Sequence, residues 1–108
     1  MNAVQFHPIG SVVILKNGIK ELMIIARGVG TIIDGKMKLF DYGACLYPEG
    51  LTGTNILYFN HEDIEEVKHT GYKNDEDTKI VKNINEFMEK ASFEKGNAYE
   101  ININRMKV

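Results

Sequence analysis

Three side chains in one stretch, His61, Asp63 and His69, have the chemistry of metal ligands or of a general acid and base. Their spacing is poor for either role. His61 and Asp63 stand in the polar run Asn60-His61-Glu62-Asp63, where Asn60 or Asp63 serves equally well to cap a short helix. No metal site and no cofactor is therefore expected. Cys45 would be a nucleophile if a histidine or an electropositive neighbourhood lowered its pKa, but Ala44-Cys45-Leu46 is an apolar strand sequence and reads as a packed thiol. Gly28-Val29-Gly30 looks like a phosphate loop only superficially. It lacks the lysine and hydroxyl of a Walker motif and the third glycine of the dinucleotide fingerprint, and no helical pattern starts there. No serine stands in a nucleophile elbow. The reading is of a protein that is not an enzyme, with a small hydrolase using His61 and Asp63, or Cys45, as the alternative.

Aromatic side chains suggest binding instead. Tyr42, Tyr47, Tyr58, Phe59 and Tyr72 cluster in the sequence around the Pro48-Glu49-Gly50 loop and the Asn60 turn. Those that face outward, together with Pro48, would make a groove of the kind that small barrels offer to extended peptides. The candidate protein-binding residues are Tyr42, Tyr47, Pro48, Glu49, Asn60, His61, Glu62 and Asp63.

These residues need strands to carry them. Ser11–Lys16 and Glu21–Arg27 are apolar and β-branched, and Asn17-Gly18 between them is a hairpin signal because both positions tolerate positive φ. A third strand is expected over Met37–Leu46, set apart from the second by Gly28–Gly35, and a fourth over Ile56–Phe59. Ile64 to Gly71 reads as a helical turn followed by a fifth strand. A helix is expected over Asp75–Ser92, capped by Asn74 or Asp75, with Ile80, Ile84, Phe87, Met88 and Ala91 as its buried stripe. The tail 98–104 alternates like a half-buried strand. Short antiparallel strands around one small core lose their exposed edges by closing. The expected fold is therefore mainly β (α+β), a small SH3-like antiparallel β-barrel or strongly curled sheet with one C-terminal amphipathic helix. An open antiparallel sheet with the helix across one face is the alternative.

The chain of 108 residues is one domain, with a strand-rich core over 8–71, and 44 % hydrophobic and 26 % charged residues are globular values. A net charge of -2 gives no general basic field, so neither nucleic acid nor a membrane surface is an expected partner. Lys16, Lys20, Lys36 and Lys38 are the side chains a nucleic-acid-binding barrel would have to use. The N-terminal sequence has no basic region followed by an apolar stretch of export length, and Cys45 is the single cysteine, which suits the cytoplasm.

The order of motifs carries a family resemblance. PIGSVVILKNG from Pro8, KELMIIARG from Lys20, FDYGACLYPEG from Phe40 and YFNHEDIEEVKHTGYKNDED from Tyr58 resemble the family called domain of unknown function 4176, over about Pro8 to Met88. Its members are small proteins of Gram-positive bacteria, commonly encoded beside LXG toxins of the type VII secretion system. The resemblance implies an accessory role as toxin chaperone, targeting factor or regulator, with a toxin or secretion component as partner, and it carries no catalytic residues.

Overall fold

A computed structural model of the chain describes residues 3–98. The elements, in chain order, are β1 (Val12–Leu15), β2 (Leu22–Ile33), β3 (Lys36–Leu46), β4 (Leu57–Phe59), a 3-10 turn at His61–Asp63, β5 (Ile64–His69), α1 (Asp75–Lys90) and β6 (Glu94–Lys95). One sheet runs in the order β4-β3-β2-β1-β5, with β6 lying parallel to β3 beside Lys38 and Leu39. The fifth strand appears, but the helical turn expected within Ile64 to Gly71 lies earlier, at His61–Asp63, and Ile64 already opens β5. The strand-like tail beyond Ala98 lies outside the described residues.

The expected barrel does not form. β4 and β5 end the strand order without pairing, so the sheet is open and not strongly curled, with α1 packed against it. Closure demands strands of matched length and stagger. Here β2 and β3 have twelve and eleven residues while β4 has three. The edges are protected in another way, by the shortness of β4 and by Glu65, Glu66 and Lys68 on β5. The open sheet carrying a helix, the alternative architecture, is the one observed.

Two local expectations also shift. β2 does not stop at Gly28 but pairs with β3 as far as Ile33↔Lys36, where Asp34 (φ 51°) and Gly35 (φ 78°) make the tight left-handed turn. Cross-strand pairing overrides the low strand preference of glycine. Gly28 has φ 61°, and a Cβ placed there would lie 2.6 Å from the Ile84 side chain, so the glycine lets the helix meet the strand. Asn17 adopts φ 65° and the Gly18 N–H bonds the Leu15 carbonyl at 2.9 Å. The strands nevertheless pair at Val13↔Leu22, so the connection is longer than a two-residue hairpin loop.

The inner face of α1 keeps Ile84 and Met88 of the expected stripe but not Ile80 and Phe87. Val81, Ile84 and Met88 pack against the core, whereas Ile80 and Phe87 are 40 % and 51 % exposed. Asp77 and Asn85 complete the inward row at i, i+4, i+8, because each has a partner there. Asp77 meets Arg27, and Asn85 bonds both the N–H (2.8 Å) and the carbonyl (3.0 Å) of Val4. The core itself is Phe6, Val13, Leu15, Leu22, Ile24, Phe40, Tyr42, Ala44, Leu57 and Phe59, with Ala98 at its margin.

Candidate functional site

Tyr42 points inward from β3 and is fully buried. Its ring stacks on Phe59 at 5.3 Å and meets the edge of Phe6 at 5.5 Å. The phenol oxygen accepts the His7 backbone N–H at 3.0 Å and lies 2.7 Å from His61 Nδ1. The arrangement that uses the phenolic proton has the O–H donating to Nδ1. Burial holds the Tyr42 pKa well above the usual phenol value, so the donor stays protonated. The His7 and His61 rings stack at 5.0 Å. Burial, reinforced by the His61 charge, lowers the His7 pKa.

Next to this cluster Asp41 is 1 % exposed, with Oδ1 on Lys95 Nζ at 2.7 Å and Oδ2 on the His61 N–H at 2.8 Å. Asn60 joins three segments: its Oδ1 accepts the Asp41 N–H (3.1 Å), its Nδ2 donates to the Gly96 carbonyl (2.9 Å) and its own N–H donates to Asp63 Oδ2 (2.7 Å). That last bond caps the 3-10 turn, and partial burial raises the Asp63 pKa. Between the N-terminal segment and the helix, an open cleft of about 360 Å³ is lined by Val4, Leu39, Asp41, Asn85, Met88 and Lys95, among others.

The structure divides the candidate binding residues into two groups. Tyr42, Asn60, His61 and Asp63 form the interior network just described, and only Glu62 of that stretch is exposed. Tyr42 and Asn60 are buried. Tyr47, Pro48 and Glu49 lie five residues further along the chain, about 16 Å at the rise of a strand, in an exposed turn. The turn is anchored at its ends by Tyr47 N–H to the Glu21 carbonyl (2.9 Å) and Gly50 N–H to the Leu46 carbonyl (2.7 Å). Lys20 bonds Glu49 at 2.6 Å and holds its carboxyl below the usual range. No common aromatic groove joins the two groups: Tyr58 packs beside Phe40, Phe59 is buried, and Tyr72 is 84 % exposed on the linker to α1.

The groups proposed for chemistry do not converge. Cys45 is buried, His61 Nδ1 is engaged by Tyr42, Asp63 caps its own turn and His69 is exposed at the end of β5. Among the described residues no three His, Cys, Asp or Glu side chains are grouped to hold a metal ion. The four lysines occupy opposite ends of the β2 strand, Lys16 and Lys20 before it and Lys36 and Lys38 after it, with Lys20 and Lys38 paired to Glu49 and Glu94.

Several structurally decisive residues carry no sequence signal. Arg27 and Asp77 form an ion pair at 2.7 Å with side chains only 6 % and 12 % exposed, and Asp77 Oδ2 is buried without a hydrogen-bond partner. Phe6, His7 and Lys95 join the core and its network from the two ends of the described chain. An arginine in an apolar strand is the one hint available, since such a charge needs a partner.

Residues 6–80 match the family model described as Domain of unknown function (DUF4176), and the chain belongs to that family. No curated protein and no solved structure matches it. Among the described residues no helix is long and apolar enough to cross a membrane.

Proposed function

With membership of that family as the premise, we propose that the protein is a non-enzymatic, protein-binding accessory factor, acting as chaperone, targeting factor or regulator for LXG toxins of type VII secretion. One observation carries the binding assignment. Within the motif Phe40–Gly50, Phe40 to Cys45 are buried scaffold, while Tyr47, Pro48 and Glu49 stand exposed on a turn fixed at both ends. An aromatic ring and a proline held rigidly in solvent suit contact with a protein surface, because little conformational entropy is lost on binding. Glu62 adds an acidic group on the other exposed segment.

The test is co-purification of the protein with the product of the adjacent toxin gene. Retention by the native chain is expected, with at least a tenfold weaker Kd for Tyr47→Ala and Pro48→Ala at unchanged circular dichroism. A native chain that retains no toxin sinks the toxin assignment, and retention unaffected by either substitution sinks the assignment to this turn. No specific observation favours the hydrolase or nucleic-acid readings.

A further inference from the structure

The edges of the sheet differ in character. The outer side of β5 carries charge and its pairing with β1 is broken by two register shifts, while β4 and β6 are three and two residues long. Charge, irregularity and shortness each stop an edge from recruiting another strand. β2 lacks all three. β1 pairs with its start, at Leu22 and Met23, and Gly10 and Ser11 extend that contact only to Ile24. Past Gly28, where Ile84 meets the strand, Val29-Gly30-Thr31-Ile32-Ile33 has no strand on its outer side among the described residues, and it contains no charge and no proline.

The backbone groups that face outward follow from β3. The Leu39 carbonyl accepts the Gly96 N–H at 2.7 Å, so it points away from β2. Leu39 and Gly30 are register partners and therefore form a non-hydrogen-bonded pair. By alternation, Val29, Thr31 and Ile33 bond to β3, and the N–H and C=O of Gly30 and Ile32 point outward.

We propose that this edge is a homodimer interface, in which β2 of a second copy adds antiparallel about a two-fold axis at Thr31. Gly30 of each chain then lies opposite Ile32 of the other, and both pairs are of the hydrogen-bonded kind because all four residues direct their backbone groups into the gap. Ile32, 66 % exposed in the monomer, is covered. It lies against the second copy's Met37, whose sulfur is 2.7 Å from where a Cβ on Gly30 would stand. Thr31 faces Thr31, a favourable cross-strand pair, and the absence of charge removes like-charge repulsion between identical edges. Neighbouring registers fit less well. An axis at Ile32 brings Asp34 of the turn opposite Gly30, and an axis at Gly30 sets Ile32 against Gly28, where Ile84 already lies. The second copy is the occupant because this one register satisfies the backbone of both strands and places the exposed isoleucine on the methionine.

The inference is independent of any toxin partner and is tested on the purified full chain by analytical ultracentrifugation and cysteine trapping. A concentration-dependent dimer is expected, lost in Ile32→Asp with circular dichroism unchanged. The non-hydrogen-bonded Thr31 pair has a Cα separation near 4.5 Å, within the range a disulfide spans. Under mild oxidation Thr31→Cys should therefore cross-link to itself at least tenfold faster than Val29→Cys or Ile33→Cys alone, while the Val29→Cys/Ile33→Cys double variant also cross-links. Wild type, with Cys45 buried, is the background control. A chain that stays monomeric up to about 1 mM overturns the proposal. So does a dimer indifferent to Ile32→Asp, or cross-linking no faster at position 31 than at 33. A monomer whose Ile32→Asp variant loses a toxin partner would also overturn it, and would assign the edge to a partner's strand.

Discussion

Tyr42→Phe removes one oxygen and leaves the ring stacked on Phe59 and Phe6, so the substitution isolates the hydroxyl. Two interactions disappear: the His7 N–H loses its acceptor, and His61 Nδ1 loses its partner. A net hydrogen bond is worth about 0.5–1.5 kcal/mol, and a backbone N–H left unpaired inside the protein adds desolvation cost, so the expected loss is about 2–3 kcal/mol. For a domain of this size that lowers Tm by roughly 10–20 °C. The pH dependence supplies a second readout. The folded-state pKa of Tyr42 is raised above the unfolded value of 10.0, so the phenol's contribution is full below pH 10 and is lost as pH rises through the folded pKa. Urea titrations at neutral and alkaline pH should show the native chain weakening above about pH 10 and Tyr42→Phe weakening less steeply. A variant within about 0.5 kcal/mol of the native chain, or with the same alkaline slope, would refute the view that this hydroxyl holds the N-terminal segment to the sheet.

Asp77→Ala leaves the Arg27 guanidinium buried without its carboxylate and should cost about 3–5 kcal/mol, most of it recovered when Arg27→Met is added; a double-mutant cycle by denaturant titration checks this. Phe87→Ala should change stability by no more than about 1 kcal/mol because that ring is half exposed, whereas Phe6→Ala should cost about 3–5 kcal/mol, both read from urea midpoints. His7 has a folded pKa below its unfolded value of 6.5, so its contribution is complete above that pH and is lost as pH falls toward the folded pKa. His7→Gln, which keeps the backbone bond to Tyr42, should flatten the stability profile below about pH 6.5.

The strands and the helix were legible because they obey local rules: apolar runs with turn residues between them, and an Asn74 cap that accepts the Asp77 N–H at 3.0 Å. Closure was not, because it depends on relative strand length, and β2 continues through Gly28 and Gly30 to Ile33, past the end its glycines suggest. The helix face was misjudged for a related reason. Counting apolar residues selects Ile80 and Phe87, while the packed row includes Asp77 and Asn85, whose partners Arg27 and Val4 are far away in the sequence. In the candidate site the same limit applies. Pro48 and Glu49 could be read as exposed turn residues, but nothing local in Asn60 or Asp41 announces that each is buried and bridges separate segments.

These long-range partners also bear on how the family region folds. The matched residues 6–80 contain Asp41, Tyr42, Asn60 and His61, but end one turn into the packed part of α1. Val81, Ile84 and Met88, which cover the core, follow that boundary, as do Asn85, which holds Val4, and Lys95, which neutralises the buried Asp41. Without Lys95, Asp41 keeps the His61 N–H as its one remaining partner, and a buried carboxylate in that position is strongly destabilising. Without Gly96, the Asn60 side chain loses the carbonyl that receives its amide. The segment from Val81 to Ala98 therefore completes the charge and hydrogen-bond balance of residues that lie within the family region. The exposed Tyr47-Pro48-Glu49 turn is instead anchored by Lys20, Glu21, Leu46 and Gly50, all inside residues 6–80. The turn and the network share none of these bonds, so substitutions at Tyr47 or Pro48 are expected to leave the network that folds the sheet intact.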